Sequence, residues 1–150
     1  MRILTLVRHA KTQADSATGR DFDRELTDRG RRDSARIGKL LRGFDLVLSS
    51  PAARAVQTAS LAGLNPTLDE RIYNASAAEL ISIVRETDRA VESLLMIGHN
   101  PGFEQLATSI AGTPIAMATA SLVELRLPID DWREARSGQF ARFVDPDTID

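Results

Sequence analysis

Three short apolar runs constrain the fold of this chain more than any other feature. They are Ile3–Val7, Phe44–Leu48 and Leu94–Ile97, and their leucine-rich, β-branched make-up is typical of strands buried on both faces. Helical patterns separate them. Because strands that alternate with helices form a mostly parallel sheet covered on both faces, the pattern predicts an α/β fold, a three-layer α/β/α sandwich. Later strands are predicted over 121–127 and 139–144, and the last strands are candidates for antiparallel pairing.

Capping residues predict where the helices begin and end. Thr27 is a good N-cap, and Gly43 lies where a glycine would end that first helix. A second helix is predicted over 51–61, with proline at its first position. Ser76 opens a capping box for a third helix, and Pro101 is placed to start a fourth.

Size, charge and cysteine content narrow the class of protein. The 150 residues are 43% hydrophobic and 27% charged, which is typical of one globular domain, here spanning 1–150. The formal net charge of −2 argues against a nucleic-acid partner, because nucleic-acid-binding domains carry a basic surplus. The chain has no cysteine, so disulfides, thiolate metal sites and cysteine nucleophiles are excluded.

The amino terminus and the hydropathy of the chain bear on its location. The apolar stretch between Arg2 and Arg8 is too short for the hydrophobic region of a signal peptide. No apolar run approaches the length that spans a membrane. We therefore expect a cytoplasmic protein without a membrane partner.

Unusual residues follow the three apolar runs. Arg8 and His9 come directly after the first run, and His99 and Asn100 follow the third. Arg54 falls in the first turn of the helix after the second run, where free backbone N–H groups favour an anion. Because ligands bind at the carboxyl ends of parallel strands, the chain's two histidines and two of its arginines are expected at one edge. Arginine binds phosphate oxygens in a bidentate manner, so this edge predicts a phosphoryl pocket.

Two imidazoles beside a phosphoryl group can divide the work of phosphoryl transfer. One, neutral at the attacking nitrogen, can act as the nucleophile, and the other, kept protonated, can donate to the equatorial oxygens. The product would be a phosphohistidine that water hydrolyses in a second step. A zinc site is the alternative for paired histidines. The two arginines would repel a divalent cation and no His-x-x-x-His spacing is present, so no metal or other cofactor is expected.

Four segments occur in an order that resembles a known family. They are Leu6–Ala10 (LVRHA), Arg24–Gly30 (RELTDRG), Ser49–Ala59 (SSPAARAVQTA) and Gly98–Pro101 (GHNP). Together they resemble the motifs of the histidine phosphatase superfamily, the phosphoglycerate mutase-like group, with alanine at position 10 where many members carry glycine. Overall length and motif order are most similar to the small phosphohistidine phosphatase branch. The resemblance implies a phosphoglycerate mutase-like fold.

The resemblance also implies roles for the central residues. His9 would be the phosphorylated nucleophile. Arg8 and Arg54 would bind the phosphoryl oxygens, and His99 would stabilise the transferring group. The enzyme would be a hydrolase that needs no metal.

Three further residues are candidates with open alternatives. Arg24 lies where small phosphohistidine phosphatases carry an arginine that faces the substrate, although pairing with a nearby aspartate would explain it equally well. Glu70 lies in the stretch where mutase-like members place a glutamate acid, but it could equally be a solvated glutamate. Asn100 is a candidate for substrate binding.

The shortness of the chain bears on the substrate. Little room exists for insertions that would cover the pocket, so we expect an open site that admits a phosphorylated protein, including phosphohistidine. A small-molecule phosphomonoesterase with the same chemistry is the alternative, while mutase activity would need a shielded pocket. A non-catalytic phosphate- or phosphopeptide-binding module is the alternative from another class, although arginines alone would suffice for binding.

Overall fold

The computed structural model describes residues 1–149, in which six strands and four α-helices alternate as far as the fifth strand, and the sixth strand follows without an intervening α-helix. The strands are β1 (Arg2–Arg8), β2 (Leu46–Ser49), β3 (Thr67–Leu68), β4 (Ser93–Gly98), β5 (Leu122–Leu127) and β6 (Gln139–Val144). The helices are α1 (Asp28–Gly38), α2 (Ala53–Leu61), α3 (Ala77–Arg85) and α4 (Gly102–Ala111). None of the helices within this part of the chain is long and apolar enough to cross a membrane.

The strands form one sheet in the order β3-β2-β4-β1-β5-β6. β1, β2, β3 and β4 run parallel to their neighbours among themselves, whereas β5 is antiparallel to β1 and to β6. The prediction of a mostly parallel sheet with late antiparallel strands is confirmed. Arg8 of β1 pairs with Gly98 of β4, and Ser49 of β2 pairs with Ile97, so the carboxyl ends of three adjacent strands are level.

Alternating side chains of the central strands enter two hydrophobic clusters. On β4, Leu94 and Met96 pack with α3 and α4, while Leu95 and Ile97 pack with α1 and α2. Both faces of the sheet are therefore covered, which explains why the strand is apolar throughout instead of alternating. The three-layer sandwich is confirmed, and the strand ends are left as the open edge.

Helix α1 begins where the sequence predicts but ends earlier than predicted. Thr27 caps the helix by accepting a hydrogen bond from the Gly30 N–H at 3.0 Å. The prediction that Gly43 ends the helix is wrong, because α1 ends at Gly38. The next three N–H groups bond to carbonyls three residues back, which tightens the chain out of the α-helical pattern.

Helix α2 begins two residues later than predicted, because Ser50 continues the hydrogen bonding of β2 to β4. The Ser50 N–H donates to the Ile97 carbonyl, and its hydroxyl accepts from the Ala52 N–H at 3.2 Å. The capping box at Ser76 is confirmed. Pro101 is the N-cap of α4. The strand-to-helix turns after β2 and β4 are therefore short and bring the starts of α2 and α4 to the open edge.

Candidate active site

The carboxyl ends of β1, β2 and β4 surround a cavity of about 650 Å³. Arg8, His9, Arg54 and His99, which the sequence predicts at one edge, all line it. The full lining consists of Arg8, His9, Lys11, Thr12, Asp21, Arg24, Arg54, Tyr73, Asn74, His99, Asn100 and Thr119. Parallel register explains the convergence, since the residues that follow level strand ends must lie side by side.

His9 is held in one tautomer by the backbone. Its Nδ1 lies 2.8 Å from the Ala10 carbonyl oxygen, and because a carbonyl only accepts, Nδ1 must carry the proton. The Ala10 N–H donates to the Thr58 hydroxyl, which itself donates to the Arg54 carbonyl. The loop after β1 is thus fastened to α2, and Nε2 is the His9 nitrogen that keeps a free lone pair.

His9 is neutral at physiological pH. Its side chain is buried, with the residue 6% exposed. Burial, aided by the positive charges of Arg54 and Arg8, lowers the pKa of His9 to about 4 despite the opposing effect of the hydrogen bond to Ala10. A neutral imidazole with a fixed Nδ1–H can attack an electrophile through Nε2.

His99 lies against His9, with the two ring centroids 5.1 Å apart. Its Nε2 is 2.7 Å from the Ser50 hydroxyl, so the residue before Pro51 orients it. Burial, followed by the charges of His9 and Arg54, lowers the pKa of His99 to about 3. His99 is therefore neutral in the free enzyme, mainly because it is buried. Its protonation beside a bound phosphoryl group stays a prediction.

Backbone carbonyls anchor Arg8 and Arg54, two of the three arginines that line the cavity. Arg8 donates from Nη1 to the Met117 carbonyl at 2.9 Å. Arg54 donates from Nη1 to the Asp21 carbonyl at 2.8 Å, and only 4% of the residue is exposed. The Nε of each arginine is buried and has no hydrogen-bond partner within residues 1–149. The anchors fix both guanidinium groups at the cavity before any substrate arrives.

Asp21 and Tyr73 also line the cavity, and the sequence analysis missed both. The Asp21 Oδ2 accepts from the Tyr73 hydroxyl at 2.7 Å and from Arg54 Nη2 at 3.0 Å. These bonds, that of Tyr73 first, lower the pKa of Asp21 to about 2. The only available sequence signal was the position of Asp21 three residues before Arg24, in a polar loop that gives no periodicity.

Arg24 and Asn100 reach the cavity, as the sequence predicts. Arg24 also donates from Nε to Asp21 Oδ1 at 3.0 Å, so its pairing with an aspartate is confirmed. Contact between Arg24 and a substrate stays a prediction. The Asn100 amide donates to Glu104 Oε2 at 3.0 Å and to the Met117 carbonyl at 2.9 Å. It therefore supports the same carbonyl that anchors Arg8.

Glu70 is not brought into the cavity, which corrects its nomination as the acid. It is exposed and does not belong to the lining. A 3₁₀ turn over Glu70–Ile72 buries Ile72 in the core. Tyr73, one residue further, enters the cavity instead. Glu70 remains on the outer side of the turn, as expected of a solvated glutamate.

Comparison with known proteins identifies the family. The family model of the histidine phosphatase superfamily (branch 1) matches residues 4–90. An uncharacterized protein of Mycobacterium tuberculosis is 36% identical over 121 residues, which cover 75% of this chain and 76% of that protein. The residues matched by the family model include Arg8, His9 and Arg54.

Solved structures extend the similarity over nearly the whole chain. The protein histidine phosphatase SixA complexed with tungstate is 25% identical, with a TM-score of 0.77 and coverage of 96% of this chain and 97% of that one. A protein from Agrobacterium tumefaciens proposed to be the phosphohistidine phosphatase SixA is 27% identical, with a TM-score of 0.82 and coverage of 97% and 98%. This chain therefore belongs to the histidine phosphatase superfamily, branch 1, and is a phosphatase of that family.

Proposed function

We propose that this phosphatase removes the phosphoryl group from phosphohistidine in a protein, with His9 as its nucleophile. The observation that carries the proposal is the fixed tautomer of His9. The hydrogen bond from Nδ1 to the Ala10 carbonyl, at 2.8 Å, leaves the lone pair on Nε2. This nitrogen belongs to a neutral ring in a cavity that two anchored arginines share.

In the first step the His9 Nε2 lone pair attacks phosphorus. The Nε2–P bond forms, the bond between phosphorus and the leaving nitrogen breaks, and its electron pair goes to the leaving ring. Arg8 and Arg54 bind the phosphoryl oxygens by charge-assisted hydrogen bonds. Because both guanidinium groups are anchored beforehand, they stabilise the transferring group without reorganisation.

In the second step water attacks the phosphorylated His9. The new bond is between the water oxygen and phosphorus, the Nε2–P bond breaks, and its electron pair returns to Nε2. One water proton passes to a phosphoryl oxygen, so the product leaves as inorganic phosphate and His9 is again neutral. We propose that His99 donates to a phosphoryl oxygen in both steps. It is neutral in the free enzyme, and the negative charge of a bound phosphoryl group favours its protonated form.

The choice of substrate is supported by the shape of the site and by its relatives. The cavity is open, and no insertion lies between β3 and α3 beyond one short turn. A phosphorylated side chain on a protein surface can enter such a site. The solved structures described as SixA phosphohistidine phosphatases align over almost all of the chain.

Substrate preference tests the proposal. We expect kcat/KM for a phosphohistidine peptide to exceed that for a phosphoserine peptide of the same sequence by about a hundredfold or more, in the presence of a chelator. The reason is that no protonated carboxyl group lines the described cavity to give a proton to the serine alkoxide. Phosphate release is measured for both peptides and for an aryl phosphate. Equal values would favour a general phosphomonoesterase. Binding of either peptide without turnover would favour the non-catalytic module.

The titration of the two histidines is predicted from their burial. An unfolded histidine titrates near about 6.5, whereas the pKa values of His9 and His99 are lowered to about 4 and about 3. We expect neither ring to titrate between pH 5 and pH 8 when ring resonances are followed by NMR. The chain has only these two histidines, so a His99→Gln variant assigns both signals. A midpoint near 6.5 for His9 would contradict the burial argument.

The same shift predicts how stability depends on pH. Between about pH 4 and 6.5 the two histidines are protonated in the unfolded chain but neutral in the folded chain. The free energy of unfolding therefore rises with pH across this window, by about 1.4 kcal/mol per pH unit for each proton. The stability that the two neutral histidines contribute is therefore complete above about pH 6.5 and is lost as the pH falls towards 4.

A further inference from the structure

Asp21 is the single carboxyl group among the residues that line the cavity, within the part of the chain that the structure describes. Its two oxygens accept from three side chains. Tyr73 and Arg54 bond to Oδ2 at 2.7 and 3.0 Å, and Arg24 bonds to Oδ1 at 3.0 Å. Such a set of donors stabilises the ionised form and lowers the pKa of Asp21 to about 2.

An ionised carboxylate has no proton to give to a leaving group. The Tyr73 hydroxyl donates its proton to Asp21, and Glu70 lies outside the cavity. A serine or sugar leaving group departs as an alkoxide and needs an acid. The cavity therefore provides no carboxylic acid for an alkyl phosphate ester.

A phosphohistidine ring brings its own proton. When its distal nitrogen is protonated, the N–P bond breaks, the electron pair returns to the ring nitrogen, and the ring leaves as neutral imidazole. The reactive form is thus the protonated ring. A carboxylate that accepts a hydrogen bond from the distal N–H favours this form.

We propose that Asp21 determines specificity, by accepting the distal N–H of the substrate's phosphorylated ring and so selecting N-phosphoryl over O-phosphoryl substrates. This inference rests on the proposed function. The Asp21 backbone carbonyl also accepts from Arg54 Nη1 at 2.8 Å, so the carboxylate is fixed to an arginine proposed to hold the phosphoryl group. The Asp21 side chain is 49% exposed, and its Oδ1 accepts one hydrogen bond from the protein. This oxygen can therefore accept a second hydrogen bond, from the substrate.

Tyr73 provides a surface beside this carboxylate on which a flat ring can lie. Its ring packs edge to face on His99, with centroids 5.5 Å apart, and on Phe22, with centroids 5.2 Å apart. Aromatic rings attract one another in such arrangements. A substrate imidazole beside Asp21 would extend this aromatic cluster.

The test compares two substrates in one variant. In Asp21→Asn, kcat/KM for the phosphohistidine peptide is expected to fall at least about tenfold further than kcat/KM for an aryl phosphate, whose leaving group needs no proton. Asp21→Glu keeps the charge and is expected to retain the preference for phosphohistidine. Asp23→Asn is the matched control, because Asp23 accepts a hydrogen bond from Thr18 and does not line the cavity.

Two other roles for Asp21 give different results. If it only positions Arg54 and Arg24, both substrates lose activity equally. If Asp21 only competes with the substrate phosphate for Arg54 and Arg24, kcat/KM rises for both substrates in Asp21→Asn. Either result would overturn the inference, as would an unchanged ratio. Asp21→Ser repeats the comparison should the asparagine variant fold poorly. A wild-type enzyme without any preference for phosphohistidine would instead overturn the proposed function itself.

Discussion

Replacing His9 with alanine is expected to abolish turnover, with kcat falling by about 10⁴-fold or more, because the nucleophile of the first step is gone. Phosphate release is measured with the phosphohistidine peptide and with an aryl phosphate. Activity towards both substrates should be lost together, because both react with the same His9 nitrogen. Residual activity above about one per cent of wild type would argue against His9 as the nucleophile.

Binding separates lost chemistry from lost structure in this variant. Arg8 and Arg54 are anchored by the carbonyls of Met117 and Asp21, not by His9. His9→Ala should therefore still bind phosphate, and its thermal unfolding should remain cooperative. Loss of phosphate binding would show that the substitution disturbs the whole cavity.

Removing Arg54 is expected to have the second largest effect. Arg54→Ala should lower kcat/KM by about 10³-fold, because a preorganised donor to the phosphoryl oxygens is lost from a buried site. Arg54→Lys restores the charge without the planar fork and should recover only part of the activity. A loss of less than about tenfold in Arg54→Ala would contradict the role given to this residue.

A surface arginine provides the matched control for Arg54. Arg71 makes ion pairs with Asp69 and Glu86 but is exposed and does not line the cavity. Exposed ion pairs contribute little to stability. Arg71→Ala should therefore leave kcat/KM close to that of wild type, which shows that the effect of Arg54→Ala depends on position and not on charge alone.

The sequence predicted the parts of the fold and site that depend on local patterns. Buried strands such as Leu94–Ile97 were visible because both of their faces are apolar. His9 and His99 could be placed at one edge because residues that follow adjacent parallel strands must meet. The end of α1 was missed because Gly43 resembles a helix-ending glycine, while the chain had already tightened after Gly38.

Features that depend on the folding of a loop or on burial could not be read from the sequence. Asp21 reaches the cavity because the loop between β1 and α1 folds back, with Thr12 bridging to Leu26. The neutral state of His99 follows from burial near arginines that are distant in sequence.

Some expectations from the sequence stay predictions. They are a single domain over 1–150, a cytoplasmic location, and the absence of metal, nucleic-acid and membrane partners.

Trapping the covalent intermediate tests the central claim most directly. Wild-type enzyme is mixed with a radiolabelled phosphohistidine peptide, quenched in alkali within the first turnover, and digested to locate the label. We predict a label that acid removes, on the peptide that contains His9, and no label in His9→Ala. Turnover by wild type without a label on His9, or with an acid-stable label on another residue, would contradict the account.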